Sequence, residues 1–477
     1  MSLLNIAQKI ELLTDKNSFV ELRSHQQSNF QNKKKDGDGV VCGFAKIEQR
    51  SVLLILQDAE YLMGTMGEAH CKKMTYCIEQ AIQNKVPFLI VFESAGVRIQ
   101  EGVQAMNAAG ALFHVLSKAS GIIPSISIIL GVNSGAAPYS AALMDFIILE
   151  DKKGAFFLTG PKIIEKVLNE KTDVQTLGGA TVQASVTGLA SLLAKNENDA
   201  FVKAKKLLQF LPQHWQENPS INWTEKSITT SDNSLEKYHS SLDDFDMYAL
   251  IDELTDEKSF LEINKYYAAN VIVGFGKING CKVSIIASQP NIMSGAIDKA
   301  ASKKIFRFVQ ICDSYHIPLI FLEDTPGFMP GNEEEHNGII GYGAKVIQAI
   351  SNSSNIKITI IVGKAIGGAY GAMCPKTMGA DYVFAWPNAQ IGVIGTEAAM
   401  SLIYAKELEE NKHDASYLDK KKSMYEATHL SPYIAAKDGL IDGIIEPNQT
   451  KKVLIKCLMS LQNKAVVKQQ HSPILPM

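Results

Sequence analysis

Two small-residue turns are the parts of this sequence whose residue types and spacing could do chemistry. Each follows an apolar run and leads into a helical pattern: Gly131-Val-Asn-Ser-Gly-Ala-Ala-Pro138 and Gly363-Lys-Ala-Ile-Gly-Gly-Ala-Tyr370. Small residues let a ligand approach the backbone, and the start of a helix presents N–H groups that no helical carbonyl accepts. The turns therefore predict oxyanion holes. A tight turn without a ligand is the alternative, and the recurrence of the turn makes that alternative weaker.

An earlier loop in each half also follows an apolar run: Glu93-Ser-Ala-Gly-Val-Arg-Ile-Gln-Glu-Gly102 and Glu323-Asp-Thr-Pro-Gly-Phe-Met-Pro-Gly331. Ligands of α/β sheets bind beyond the carboxyl ends of strands, so these loops predict clefts. Arg98 and Glu101 either pair with each other on the surface or contact a ligand, and Asp324 is suited to capping its turn. Few acid or base side chains are present. This pattern favours backbone stabilisation of an enolate, with the proton chemistry carried by a cofactor.

The chain repeats itself at a nearly constant distance. Gly43-Phe-Ala-Lys-Ile47 recurs as Gly274-Phe-Gly-Lys-Ile278, and Gly96 recurs as Gly327, both 231 residues later. Gly131 and Gly135 correspond to Gly363 and Gly367 at an offset of 232. Such an offset predicts two structurally equivalent domains, which we place at residues 1–236 and 237–477. The polar stretch from Gln213 to Asp244 is the predicted linker.

The elements around these turns alternate between strands and helices. Strands are predicted at 51–56, 88–92 and 125–130 and again at 283–287, 319–322 and 356–362, with helices at 68–84 and at about 298–315. This alternation is typical of crossover units, so an α/β fold with a mostly parallel sheet is expected in each half.

Composition excludes several functional classes. The 477 residues carry a net charge of -3, which disfavours a nucleic-acid partner. No apolar run is long enough to cross a bilayer, and Asp15 and Lys16 interrupt any signal-like start, so a cytoplasmic protein that does not bind membranes is expected. The seven cysteines form no Cys-x-x-Cys pair, and no metal site is expected. No P-loop or Gly-x-Gly-x-x-Gly motif is present, which disfavours ATP and dinucleotides.

From about Ile10 to Thr450 the sequence resembles the carboxyltransferase β-subunits of biotin-dependent acyl-CoA carboxylases of the propionyl-CoA carboxylase type. It is also similar to the α-subunits of biotin-dependent acyl-CoA decarboxylases. The resemblance rests on motifs that occur in order along the chain: Gly64-Thr-Met-Gly-Glu-Ala-His-Cys-Lys-Lys73, Arg98-Ile-Gln-Glu-Gly102, Leu158-Thr-Gly-Pro161, Leu177-Gly-Gly-Ala180, Thr325-Pro-Gly-Phe-Met-Pro-Gly331, Gly343-Ala-Lys345, Gly367-Gly-Ala-Tyr370, Ala385-Trp-Pro387 and Ser431-Pro-Tyr-Ile-Ala-Ala436.

The resemblance implies a tandem duplication of a crotonase-type (ClpP/crotonase) fold. It also implies transfer of a carboxyl group from carboxybiotin on a carrier protein to the α-carbon of an acyl-CoA, through an enolate. The implied catalytic positions are Gly135, Ala136, Gly368 and Ala369. The implied acyl-CoA positions are Ser94, Ala95, Gly96, Arg98, Gln100 and Gly371. The implied biotin positions are Thr325, Pro326, Gly327, Phe328 and Gly367. The first domain is thus the acyl-CoA side and the second the biotin side.

The implied partners are a biotin carboxyl carrier protein and a biotin carboxylase on separate chains, because this chain carries neither a biotinylation motif nor an ATP motif. The implied assembly is a homohexamer, a trimer of dimers. The chain departs from the family pattern at Ala95, Ala136, Ser140-Ala141, Gly341-Tyr342 and Gly371, which favours a larger or unusual acyl thioester. Two alternatives stay open: a decarboxylase subunit that runs the transfer in reverse, and a non-catalytic scaffold.

Overall fold

The computed structural model describes residues 4–29, 34–217, 246–410, 414–464 and 474–475. The chain divides into two compact units. The first comprises Met1–Pro219, Asn264–Tyr267 and Lys468–Met477, and the second comprises Ser220–Ile263 and Ala268–Val467. The predicted domain boundary at 236/237, and most of the predicted linker, lie outside the described residues.

The first unit is built on a seven-stranded sheet with the order β1-β2-β3-β4-β5-β7-β9. The strands from β3 to β9 run parallel, whereas β1, β2 and β3 pair antiparallel at one edge. A separate parallel pair is formed by β6 and β8. The strands are β1 Val20–Glu21, β2 Val40–Ile47, β3 Arg50–Gln57, β4 Phe88–Phe92, β5 Ser125–Ile129, β6 Val132–Ser134, β7 Phe146–Glu150, β8 Ala155–Phe157 and β9 Leu192–Ala194.

Helices cover both faces of this sheet. One apolar core lies between the sheet and α2, α3 and α4, while α7 packs on the other face with α1 beside it. The helices are α1 Ile6–Leu13, α2 Glu68–Asn84, α3 Gly102–Ala119, α4 Ala136–Ala142, α5 Pro161–Leu168, α6 Val174–Gly178 and α7 Glu197–Phe210, with one π-helical turn at Val182–Val186. The fully buried run in β4 is what a parallel strand covered on both faces requires.

The second unit repeats this plan with the order β10-β11-β12-β13-β14-β15-β17, and β16 pairs with the end of β14. The strands from β12 onward are parallel, and β10, β11 and β12 are antiparallel. The strands are β10 Leu261–Ile263, β11 Val271–Ile278, β12 Cys281–Ser288, β13 Leu319–Thr325, β14 Lys357–Ile366, β15 Tyr382–Ala385, β16 Gln390–Gly392 and β17 Gly443–Ile444.

The helices of the second unit again lie on both faces, with α8 and α17 on one face and α9, α11 and α12 on the other. They are α8 Met247–Leu254, α9 Lys299–Ser314, α10 Asn332–His336, α11 Ile339–Asn352, α12 Gly367–Ala372, α13 Thr396–Ile403, α14 Ala405–Glu410, α15 Ala415–Tyr425, α16 Pro432–Lys437 and α17 Thr450–Ser460, with a π-helical turn at Glu426–Leu430. Among the described residues, no helix is both long and apolar enough to span a membrane.

The predicted α/β fold with a mostly parallel sheet is confirmed in both units. The observed strands preserve the sequence offset, since β2 and β11, β3 and β12, and the starts of β4 and β13 are each 231 residues apart. All seven cysteines are buried and unpaired, as expected of small core residues. In each unit the duplication places a loop and a turn at the carboxyl ends of two adjacent parallel strands.

Candidate functional site

The turn of the first unit joins β6 to α4 through Gly135. This glycine has φ 64° and ψ −118°, which an L-residue rarely adopts, and its N–H donates to Leu158 O at 3.1 Å. Ala136 begins α4, so its N–H is one of the first-turn amides that no helical carbonyl accepts. Gly135 and Ala136 are both half-exposed. The geometry therefore offers a backbone donor at an accessible turn.

The loop after β4 is held against this turn by backbone contacts. Ser134 N–H donates to Ser94 O at 3.0 Å, and Ser94 N–H donates to Asn133 Oδ1 at 3.0 Å. A Cβ on Gly135 would lie 3.4 Å from Gly96 Cα, and one on Gly96 would lie 2.9 Å from Ser134 O. Side chains at these two glycines would push the loop and the turn apart. The site thus depends on glycine for its packing as well as for its backbone angles.

The second unit contains the same arrangement. Gly367 has φ 62° and begins α12, and Gly368 is exposed. Gly327, in the loop after β13, accepts a hydrogen bond from Ile297 N–H at 3.0 Å, as Gly96 accepts one from Met66 N–H at 2.8 Å. The Phe328 ring lies over the turn, 3.4 Å from where a Cβ on Gly368 would stand.

The two turns superimpose in register with an offset of 232. Gly367 matches Gly135 in its positive φ, and Ala369 matches the fully buried Ala137. The structural counterpart of Gly135-Ala136 is therefore Gly367-Gly368, one residue earlier than the Gly368-Ala369 pair implied by the family resemblance. The catalytic role of either pair stays a prediction.

Arg98 lies in a buried ion-pair network beneath the first loop. Its Nη1 donates to Asp38 Oδ1 at 2.9 Å and to Glu101 Oε1 at 2.8 Å, and its Nη2 donates to Thr65 O at 2.9 Å. Only 1% of its side chain is exposed. These contacts engage both Nη atoms, so they favour a role in positioning the loop, and ligand contact by Arg98 stays a prediction. The predicted Arg98–Glu101 pair is present, but it is buried and not on the surface, since 1% and 7% of the two side chains are exposed.

His70 belongs to the same network. Its N–H donates to Asp38 Oδ2 at 3.0 Å, its Nδ1 lies 3.0 Å from Asp38 O, and its Nε2 lies 3.2 Å from Gln57 Nε2. Because a carbonyl only accepts, this pattern assigns the proton to Nδ1. Burial lowers the pKa of His70 to about 4, so the ring is neutral. His70 is therefore a structural hydrogen-bonding residue.

Burial also changes the carboxyl groups of this network. It raises the pKa of Asp38 despite the opposing effect of Arg98. Burial acts in the same direction on Glu101, but hydrogen bonds from Glu68 N–H, Arg98 and Ser28 outweigh it and leave the pKa of Glu101 lowered. The network holds an ionised glutamate against Arg98 and fixes the start of α2, because Glu68 N–H donates to Glu101 Oε2 at 2.6 Å.

In each unit an acidic side chain packs against a glycine that continues the central strand, Gly131 just after β5 and Gly363 within β14. A Cβ on Gly131 would lie 3.3 Å from Glu93 Oε1, and one on Gly363 would lie 2.4 Å from Asp324 Oδ1. Glu93 forms a buried ion pair with Lys9, whereas Asp324 accepts from Lys364 N–H at 2.8 Å. Asp324 thus ties β13 to β14 instead of capping its own turn as predicted, and burial raises its pKa.

The remaining predicted residues lie around the same two turns. Ala95 and Gln100 are exposed in the first loop, and Thr325 and Pro326, buried and exposed respectively, begin the second loop. A Cβ on Gly371 would meet no atom within 4 Å. Sequence reasoning missed Asp38 because its partner Arg98 is 60 residues away. In the described part of the chain, no three His, Cys, Asp or Glu side chains form a group that could hold a metal ion.

Comparison with known proteins identifies the family. The carboxyl transferase domain model matches residues 4–473. The putative propionyl-CoA carboxylase beta chain of Bacillus subtilis is 38% identical over 473 residues, covering 97% of this chain and 91% of that protein. The methylmalonyl-CoA decarboxylase subunit alpha of Veillonella parvula is 37% identical over 481 residues, covering 98% and 92%.

A solved structure agrees over the same length. Transcarboxylase 12S, a hexamer crystallised with methylmalonyl-coenzyme A and methylmalonic acid bound, aligns with a TM-score of 0.89 and 35% identity, covering 99% of this chain and 92% of that chain. The predicted crotonase-type fold is thereby confirmed. With its paired turns and a family model that matches almost its whole length, this chain belongs to the carboxyl transferase family, as a carboxyltransferase of the biotin-dependent acyl-CoA carboxylase type.

Proposed function

We propose that this chain transfers a carboxyl group between carboxybiotin and the α-carbon of an acyl-CoA, with one backbone oxyanion hole in each unit. The observation that carries the proposal is the matched pair of turns at Gly135 and Gly367, whose φ angles are 64° and 62° and which each lead into a short helix. Membership of the carboxyl transferase family gives the reaction class.

In the first unit, Gly135 and Ala136 present the turn that would hold the thioester oxygen as negative charge develops on it. Ser94, Ala95 and Gly96 form the loop that packs on this turn and would position the acyl-CoA. Amides fixed before the reaction need no reorganisation as charge appears, which is why such donors typically contribute about 3–4 kcal/mol each to transition-state stabilisation. Asp38, through Arg98, would keep the loop in place.

In the second unit, the residues present fit a flat, neutral ring with a carbonyl oxygen. The exposed backbone of Gly368 offers donors, and Phe328 offers an apolar ring beside them. Thr325, Pro326 and Gly327 complete the loop. Biotin bound here would supply the carboxyl group and the proton acceptor, which explains why these loops contain few acid or base side chains. The chain itself would orient the ring and stabilise negative charge.

The proposal extends to partners and location. Transcarboxylase 12S is described as a hexamer with a bound coenzyme A thioester, and we propose a hexamer, a trimer of dimers, for this chain. A separate biotin carboxyl carrier protein and a biotin carboxylase would act with it, and all would be cytoplasmic. Cell fractionation and mass measurement of the purified protein test these two points.

The reverse reaction is the second candidate, because relatives include both a carboxylase beta chain and a decarboxylase alpha subunit. The same turns would serve either direction. Co-purification with a biotin carboxylase supports carboxylation, whereas co-purification with a membrane pump supports decarboxylation. A non-catalytic scaffold predicts no decarboxylation of a malonyl-type thioester by purified protein with free biotin.

A thioester panel and one substitution test the site. We expect activity on acyl chains longer than propionyl because Gly371 faces open space, and equal turnover of acetyl-CoA and propionyl-CoA with none on longer chains would contradict this.

Gly368→Val should abolish transfer because its side chain blocks the turn. The protein should still fold, since the φ of Gly368 is compatible with a side chain. Gly110→Val is the matched control, because Gly110 is an exposed helical glycine with nothing within 4 Å of its Cβ position. Full activity in Gly368→Val would refute the assigned role.

A further inference from the structure

Glu323 lies near the carboxyl end of β13, and it is fully buried. Neither of its carboxyl oxygens has a hydrogen-bond partner among the described residues, which is unusual for a buried polar group. Its equivalent 231 residues earlier is Phe92, which belongs to the apolar core that also contains Ala137 and Ala141 of α4. The second unit thus has a carboxyl group where the first has an aromatic ring.

The side chain of Glu323 faces α12. Phe321 pairs with Thr359 and Glu323 with Ile361 in the parallel ladder, so these residues share one face of the sheet. Thr359 Oγ1 donates to Cys374 O at 2.6 Å on that face, just beyond the end of α12. The carboxyl group of Glu323 therefore lies beneath the helix that begins at Gly367.

Among the described residues, no cationic side chain offsets the charge of Glu323. The ionisable groups that interact with it are Asp324 on its own strand, Tyr370 on α12 and Cys374 after α12. Burial, followed by repulsion from Asp324, raises the pKa of Glu323 well above its ordinary value. The pKa values of Tyr370 and Cys374 are raised, first by burial and then in part by Glu323.

We infer that Glu323 is a positioning residue for carboxyl transfer: it is held as a neutral acid beneath the α12 turn, and its ionisation opposes the negative charge that this turn must stabilise. The inference rests on the proposed function for its effect on the reaction. An oxyanion hole works because its fixed dipoles face developing negative charge in a medium that screens weakly. A carboxylate buried behind those dipoles would cancel part of their field.

The protonation state is tested by stability, independently of turnover. An acid whose pKa is raised on folding binds more protons in the folded state, so stability is lost as pH rises from about 4 toward the folded pKa. Glu323→Gln removes this loss. The melting temperature of Glu323→Gln minus that of the native protein should therefore grow by several degrees from pH 4 to pH 8. Glu257→Gln is the control, because the Glu257 side chain is 86% exposed. The melting-temperature difference between Glu257→Gln and the native protein should not change with pH. A flat difference for Glu323→Gln would overturn the inference.

The role in the reaction is tested by a pH profile of decarboxylation of malonyl-CoA and methylmalonyl-CoA with free biotin. Glu323→Gln should keep kcat within about threefold of the native value at neutral pH, since it preserves shape and neutrality. The native enzyme should lose on the order of tenfold in kcat as rising pH ionises Glu323, and Glu323→Gln should not. Glu323→Leu, an apolar substitution suited to this core, should also lack the alkaline loss.

The outcomes separate the two proposals. Identical alkaline losses in the native enzyme and in both variants would overturn the positioning role while leaving carboxyl transfer intact. A native protein with no decarboxylation at any pH would refute the proposed function, and the melting-temperature difference would still decide whether Glu323 is a neutral acid.

Discussion

Gly135→Ala is expected to damage the first oxyanion hole more than it damages the fold. At φ 64° and ψ −118° an alanine is strained, and its Cβ would stand 3.4 Å from Gly96 Cα, a backbone atom that can yield only if the loop moves. Relief of either conflict rotates the peptide between residues 135 and 136. That peptide carries the Ala136 N–H, which is the proposed oxyanion donor.

The expected magnitudes follow from these two effects. A non-glycine residue in a sparsely populated backbone region costs about 1–3 kcal/mol, which lowers the stability of the first unit without unfolding it. Loss of one oxyanion donor typically lowers kcat by about 10²–10³-fold. The variant should therefore fold, bind acyl-CoA and transfer the carboxyl group at less than a hundredth of the native rate.

The assay measures decarboxylation of methylmalonyl-CoA with free biotin, alongside urea unfolding. Gly110→Ala is the matched control, because Gly110 lies within α3 with nothing near its Cβ position and the change should stabilise the protein by about 0.5–1 kcal/mol with unchanged kcat. If Gly135→Ala retained native kcat while losing stability, the amide at this turn would not be the donor. Equal loss in both variants would point to a general effect of added bulk.

Three further substitutions test other parts of the structure. Asp38→Asn removes one of the two carboxyl partners of the buried Arg98 and leaves Glu101, so the free energy of unfolding in urea should fall by about 1–3 kcal/mol, and an unchanged free energy would contradict the buried network. Burial lowers the pKa of Lys304 to about 7. Between about pH 7 and pH 10 the folded protein has released a proton that the unfolded chain still holds, so the free energy of unfolding should rise with pH over this range. Lys304→Met should flatten this rise. Gly371→Asp fills the open space beside α12. The ratio of kcat/KM for acetyl-CoA and propionyl-CoA to kcat/KM for longer acyl-CoA should therefore rise by about tenfold or more. An unchanged ratio in the thioester panel would show that Gly371 does not select the acyl chain.

Long periodic segments of this fold were predictable from sequence. The helix predicted at 68–84 and the strand predicted at 88–92 are observed with those bounds, because their apolar patterns are continuous and end at clear turn residues. The repeat offset correctly placed equivalent strands in the two units. The short strands β6, β8 and β16 were not predicted, since two or three residues carry no periodic signal.

The site was predictable only in part. Glycine spacing located both turns and matched Gly135 to Gly367, but the positive φ angle that the two glycines share is a backbone property that sequence does not contain. The pairing of Arg98 with Asp38, and the burial of Glu323 without a hydrogen-bond partner among the described residues, arise from chain segments brought together by folding. Glu323 did carry one sequence signal, a charged residue at the position where the first repeat has Phe92, and that signal is visible only once the repeats are aligned.

The duplication has a consequence for how such a protein can diverge. In an assembly of identical single-domain chains, any mutation alters every copy of a turn at once. Here a substitution in one repeat leaves its twin untouched, so Lys9 faces Glu93 in one half while the corresponding helix position in the other half is the apolar Leu250. Joining two sites in one polypeptide lets each specialise for a different ligand under its own selective pressure.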